Sequence, residues 1–183
     1  MESRAKFLGH PIHQILVAFP LGLLSTSVAF DVLRTATGNK KWSRVSKTVL
    51  GAGLLGAMAA APFGLIDWVA IPEKTRAKRI GMIHGLGNLA VAGLFGASYL
   101  LRERDGSKVG VAPMTLSLLG GALAGVTGWL GGELVDTLGV GVEPEVGFDA
   151  RSSLDRDPPV DIRIPTPGEG GADIPPAHVP AHP

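Results

Sequence analysis

The chain contains no cysteine and one tyrosine, and four long stretches hold no Asp, Glu, Lys or Arg at all. Without cysteine there is no disulfide, no thiol nucleophile and no cysteine-held iron-sulfur cluster. No serine stands in a nucleophile elbow and no phosphate-binding glycine loop occurs, so nothing looks hydrolytic, and the sequence leans away from an enzyme without deciding it. The formal net charge of +1 gives no reason to expect nucleic acid.

What is present is apolar. Leu8–Phe30, Thr48–Ile66, Ile80–Leu101 and Val109–Gly132 are the uncharged stretches, each near the roughly 20 residues a helix needs to cross a bilayer. The chain therefore reads as all-α, a four-helix transmembrane bundle in residues 1–143, with helices at about 11–33, 48–71, 80–101 and 112–133. Pro20 and Pro62 fall inside the first two helices. A cleavable leader ending near Ser27-Val28-Ala29 is the rival reading of the first stretch. The apolar run continues past that site to Leu33, and cleavage would discard His10 and His13.

The connections "RTATGNKKWSRVSK" and "PEKTRAKR" carry five and four basic residues and read as loops at a membrane surface. "RERDGSK", with an Asp105-Gly106 turn, joins the last two helices, and short connections make successive helices antiparallel neighbours. Eight basic residues lie near helix ends on the loop side and six on the side of the termini, which places both termini outside the cytoplasm. From Pro144 onward the character changes: nine of the fourteen prolines fall there, with seven acids against three arginines. Residues 144–183 read as a disordered acidic tail, and His178 and His182 within it as solvated.

Antiparallel topology brings the polar residues of the helices to one level. His10 and His13 open the first helix, Asp67 closes the second, His84 and Asn88 sit near the start of the third, and Glu133 ends the fourth. An ionisable group inside hydrocarbon is a functional candidate, because an unpaired charge there costs at least a few kcal/mol. His13, His84 and His10 are the candidate ligands for haem b or a metal ion. Asp67, Asn88 and Glu133 complete the layer, Asp67 as a group orienting an imidazole. The structural alternative is that these side chains cap helices or bond to neighbours. Gly81 with Gly85, Gly121 with Gly125, and Gly128 with Gly132 are small residues four apart, which reads as close helix packing. Trp68 and Trp129 suit an interfacial belt.

The segments "GHPIHQILVAFPLGLL", "PFGLIDW", "IGMIHGLGN" and "GWLGGELVDTLGVGV" together resemble the signature segments of a bacterial membrane-protein family, domain of unknown function 2231. The resemblance covers about Gly9 to Val142. It implies a four-helix membrane domain with no assigned activity, placed in a bacterial cytoplasmic membrane. Some relatives are joined to a Rieske-type iron-sulfur domain, which implies a redox partner protein for a chain that cannot hold such a cluster itself. Gln14 and Asp136 stand where the family often has a proline and an aromatic residue. Three functions remain open: a haem- or metal-binding redox subunit, a non-enzymatic scaffold or accessory subunit, and a small transporter or proton-transfer protein. The lipid bilayer is the common partner, with a homo-oligomer or a redox protein as the further ones.

Overall fold

A computed structural model describes residues 1–103, 109–143, 149–155 and 158–164, and its frame is four helices. α1 is Ile12–Thr37, α2 Lys40–Ala70, α3 Arg76–Leu101 and α4 Val111–Gly132, continued by a π-helical turn at Glu133–Thr137. All four are long and apolar enough to cross a membrane. The 26 residues of α1 extend about 39 Å, more than a hydrocarbon core of roughly 30 Å.

The helices therefore overrun the uncharged stretches. Gly38, at φ 69°, ends α1, and the Asn39 side chain accepts the Lys41 N–H to start α2 at Lys40 rather than near residue 48. The expected basic loop is thus a tight turn at Gly38-Asn39. Lysine and arginine are good helix formers, so their charge marks the membrane surface and not the end of the helix. α3 likewise opens at Arg76, ahead of Ile80, under a Thr75 cap bonded to the Lys78 N–H at 3.1 Å.

α1 packs chiefly on α2, and α3 on α4. Leu24, Leu50, Val91 and Phe95 form a small core, whereas Leu86, Leu89, Leu100 and Val126 face outward. Much of the interior is serine: Ser27, Ser43, Ser46, Ser98 and Ser117 are fully buried. In lipid, leucine gains nothing by leaving the hydrocarbon, so small residues take the inside, where they let backbones approach.

The two hairpins are repeats. His13 and His84, Leu24 and Phe95, Ser27 and Ser98 are pairs with one sequence offset; Gly53 and Gly120, Ala60 and Thr127, Gly64 and Gly131 are pairs with another. Their contacts repeat as well. Leu24 lies on Gly53 where Phe95 lies on Gly120, so closely that an added Cβ would come within 2.8 Å and 2.9 Å of the facing side chain. Ser46 Oγ donates to the Ser27 carbonyl, and at the matching places Ser98 Oγ donates to the Pro113 carbonyl. The bundle is two like hairpins about a pseudo-two-fold axis.

A small sheet joins the N-terminal segment to the far end of the chain. β1 (Ala5–Phe7) pairs antiparallel with β2 (His10–Pro11) across Leu8 and Gly9, both at positive φ as a tight hairpin requires, and with β3 (Val160–Ile162) on its other edge. β3 lies within the stretch 144–183 that was expected to form the tail. Val160 and Ile162 alternate as a strand should, and β1 offers the open edge they need; the Leu8 N–H also bonds to the Pro159 carbonyl at 2.8 Å. Residues 144–148, 156–157 and 165–183, with His178 and His182, lie outside the described residues.

Candidate functional site

The N-terminal segment bonds to Asp67. Ser3 Oγ donates to both carboxylate oxygens at 2.9 Å and the Arg4 N–H donates to one at 2.7 Å. Ser3, Ala5 and Lys6 are among the most buried residues of the chain. Lys6 reaches Glu2 at 2.9 Å and also Glu143. The Lys6 hydrogen bond holds the Glu2 carboxyl below the usual range. Burial works against the Lys6 ammonium, but its bonds to Glu143 and Glu2 win and raise its pKa.

The two intramembrane histidines are mounted alike. His13, half-buried on α1, places Nδ1 3.0 Å from the Ala60 carbonyl of α2; His84, half-buried on α3, places Nδ1 2.9 Å from the Thr127 carbonyl of α4. A carbonyl only accepts, so each Nδ1 carries the proton. One turn further along the partner helix stands a glycine, Gly64 or Gly131, over which the ring lies: an added Cβ would meet the imidazole at 2.7 Å or 3.1 Å. Asn88, one turn along α3 and exposed, donates its side-chain amide to His84 Nε2 at 3.0 Å. Each histidine thus bridges the two helices of its own hairpin.

Other members of the expected layer lie elsewhere. His10 is exposed in β2. Glu133 accepts from Arg76 at 2.5 Å and from Thr137 at 2.8 Å, tying α3 to the π-helical turn. Among the described residues no three His, Cys, Asp or Glu side chains gather to hold a metal ion. The expected His13–Asp67–His84 metal cluster is therefore not supported, because Asp67 turns to the N-terminal segment and each imidazole turns to a backbone carbonyl. Of the glycines expected to pack helices, Gly81 meets Trp68 and Gly121 meets Val28, whereas Gly85, Gly125 and Gly128 have open space at Cβ and Gly132 touches only Asp136.

The sequence reading passed over the most buried ion pair among the described residues. Asp31 and Arg102 form a forked pair, Nη1 to Oδ1 at 2.9 Å and Nη2 to Oδ2 at 2.5 Å, with side chains 1% and 0% exposed. Ser46 donates to Asp31, and Ser98 and Ser117 surround the guanidinium. In the sequence Arg102 opens the charged connection "RERDGSK" and Asp31 directly follows the first uncharged stretch. Their shared repeat offset, the same as that of His13 and His84, was the signal that could have paired them across the axis.

Lys78 is likewise engaged. Its ammonium bonds to the carbonyls of Trp68, Val69 and Ile71 at the end of α2 and sits 4.3 Å over the Trp68 ring. No curated protein and no solved structure matches the chain. Residues 9–144, which hold all four helices, match the family described as "Predicted membrane protein (DUF2231)", and the chain belongs to that family.

Proposed function

We propose that this membrane protein is a non-enzymatic accessory or scaffold module, in which the polar layer fastens helices and the N-terminal segment. One observation carries this reading: His13, His84, Asn88, Asp67 and Glu133 all make hydrogen bonds inside the protein, each joining two turns, helices or segments. A buried polar group left without a partner costs about 1–3 kcal/mol, so such bonds specify one packing of the bundle. Both termini face outward from the cytoplasm, with the Gly38 turn inside, in keeping with the basic residues around that turn. Impermeant thiol labelling of cysteines placed at Gly38 and at Phe7 tests the orientation; labelling of the Gly38 site on intact cells reverses it.

A second reading, haem b or a metal ion between His13 and His84 in a redox subunit, draws on the mounting itself. A proton fixed on Nδ1 by a carbonyl leaves Nε2 free to ligate, and among the described residues His13 Nε2 has no protein partner. His84 Nε2 is held by Asn88, so the residue set fits a ligand only if that amide moves. An absorption spectrum and metal analysis of the purified protein separate the readings. A colourless, metal-free protein that loses stability on His13→Ala or His84→Ala supports fastening. A Soret band lost in both variants supports ligation and overturns the first reading.

A further inference from the structure

Among the described residues, two buried side-chain polar atoms have no hydrogen-bond partner, Arg34 Nε and Ser43 Oγ. Ser43 is 0% exposed. The helix register brings them together. Ser46 of α2 bonds to Asp31 of α1 at 2.6 Å, and in that register residue 34 on α1 and residue 43 on α2 come level with each other one turn nearer the Gly38 turn. Phe30, one turn before Arg34 on α1, stacks on Trp42, the neighbour of Ser43 on α2, with ring centroids 5.4 Å apart. Both unpartnered groups are donors, and one belongs to a cation.

Among the described residues no ion pair to Arg34 is formed. Asp31, the acid on the preceding turn of α1, is committed to Arg102 and Ser46. The other charged groups of this turn, Lys40, Lys41 and Arg44, are cations and exposed. A buried guanidinium edge beside a serine hydroxyl, rimmed by cations, suits an oxyanion: charge-assisted bonds from arginine to phosphate are short and strong. Val32, Leu33 and Val45, in the same turns of α1 and α2, are exposed apolar side chains.

We propose that Arg34 and Ser43 bind one phosphate oxyanion at the Gly38 end of the first hairpin, with Lys40 and Arg44 as its outer cations. The source is a phospholipid headgroup or a soluble phosphate, and the experiment separates them. The full-length protein in a neutral sugar detergent is titrated with phosphatidylglycerol, with diacylglycerol of the same chains, and with inorganic phosphate. Thermal stability and lipid retention by native mass spectrometry are the readouts.

Phosphatidylglycerol should be retained and should stabilise, and diacylglycerol should not. Arg34→Gln should weaken the effect about tenfold, Ser43→Ala less, and Arg34→Lys should keep part of it. Arg79→Gln, on the opposite side of the bundle, should change nothing. Protection by inorganic phosphate as well would identify a soluble anion as a source; its absence would leave the lipid headgroup. Circular dichroism checks that each variant folds, and if Arg34→Gln does not, Ser43→Ala and Arg34→Lys carry the comparison. Equal retention of diacylglycerol and phosphatidylglycerol, or folded variants of Arg34 and Ser43 that bind like the parent, would overturn the proposal.

Discussion

Arg102→Met is expected to be the most damaging single change in the bundle. The guanidinium holds both oxygens of Asp31 and is itself fully buried, so its loss strands a carboxylate at the junction of α1, α2 and α3. Breaking a buried pair from one side costs about 3–5 kcal/mol, because the remaining charge keeps its desolvation penalty and loses its compensation. Asp31→Asn strands the guanidinium and should cost a similar amount. The double variant Asp31→Asn/Arg102→Met removes both charges and should recover most of the loss, since a pair replaced by neutral groups of like volume is often close to neutral. Reversible unfolding in mixed micelles, followed by the fluorescence of Trp42 near this network, gives the three free energies and their coupling. A double variant as unstable as the sum of the singles would show that the charges act independently. A cost below about 1 kcal/mol for Arg102→Met would show that the pair is solvated and refute the reasoning.

Gly53→Ala should destabilise by about 1–3 kcal/mol, because its Cβ would come within 2.8 Å of Leu24 Cδ2 in the core. Gly85→Ala, with open space at Cβ, should be neutral or stabilise by up to about 1 kcal/mol, so equal effects in the same unfolding assay would remove the distinction. The N-terminal segment should stay docked through neutral pH. The Glu2 pKa is depressed, so its contribution is complete above the ordinary value of 4.5 and is lost as pH falls through the lower folded value. The Lys6 pKa is raised, so its contribution is complete below 10.5 and is lost at higher pH; a spin label at Phe7 should gain mobility only outside that window, and mobility at neutral pH would contradict it. Truncation from Pro159 onward should raise amide exchange at Leu8, whose N–H bonds to the Pro159 carbonyl, while leaving the unfolding of the helices unchanged, and loss of helix stability would mean that the sheet supports the bundle.

The four spans were legible because each is an uncharged run of helical length, and lipid imposes that pattern on any spanning helix. Their ends were not. Charge was read as loop, whereas the caps at Asn39 and Thr75 extend α2 and α3 through basic residues. The shared level of His13, Asp67 and His84 followed from antiparallel topology, but what each side chain touches did not. A histidine three residues into a helix can point to a cofactor or to a neighbouring carbonyl, and the choice is set by glycines on the other helix, Gly64 and Gly131, far away in sequence. Ser3 and Arg4 were passed over as flanking chain, although they supply the partners of Asp67. The hairpin repeat was readable in the two Ile-His pairs at Ile12-His13 and Ile83-His84, and recognising it would have exposed Asp31 and Arg102 as a matched pair.

The fastening role of the two intramembrane histidines is tested most directly by the protonation pattern of their rings. Nitrogen-15 NMR of histidine-labelled protein in lipid, assigned with His13→Gln and His84→Gln, reports which ring nitrogen carries the proton. The expected spectrum shows a hydrogen-bonded Nδ1–H on both rings, matched by the carbonyls of Ala60 and Thr127, and His84 Nε2 accepting from Asn88. Protons on Nε2, or Nε2 resonances displaced or broadened by a bound metal, would contradict it.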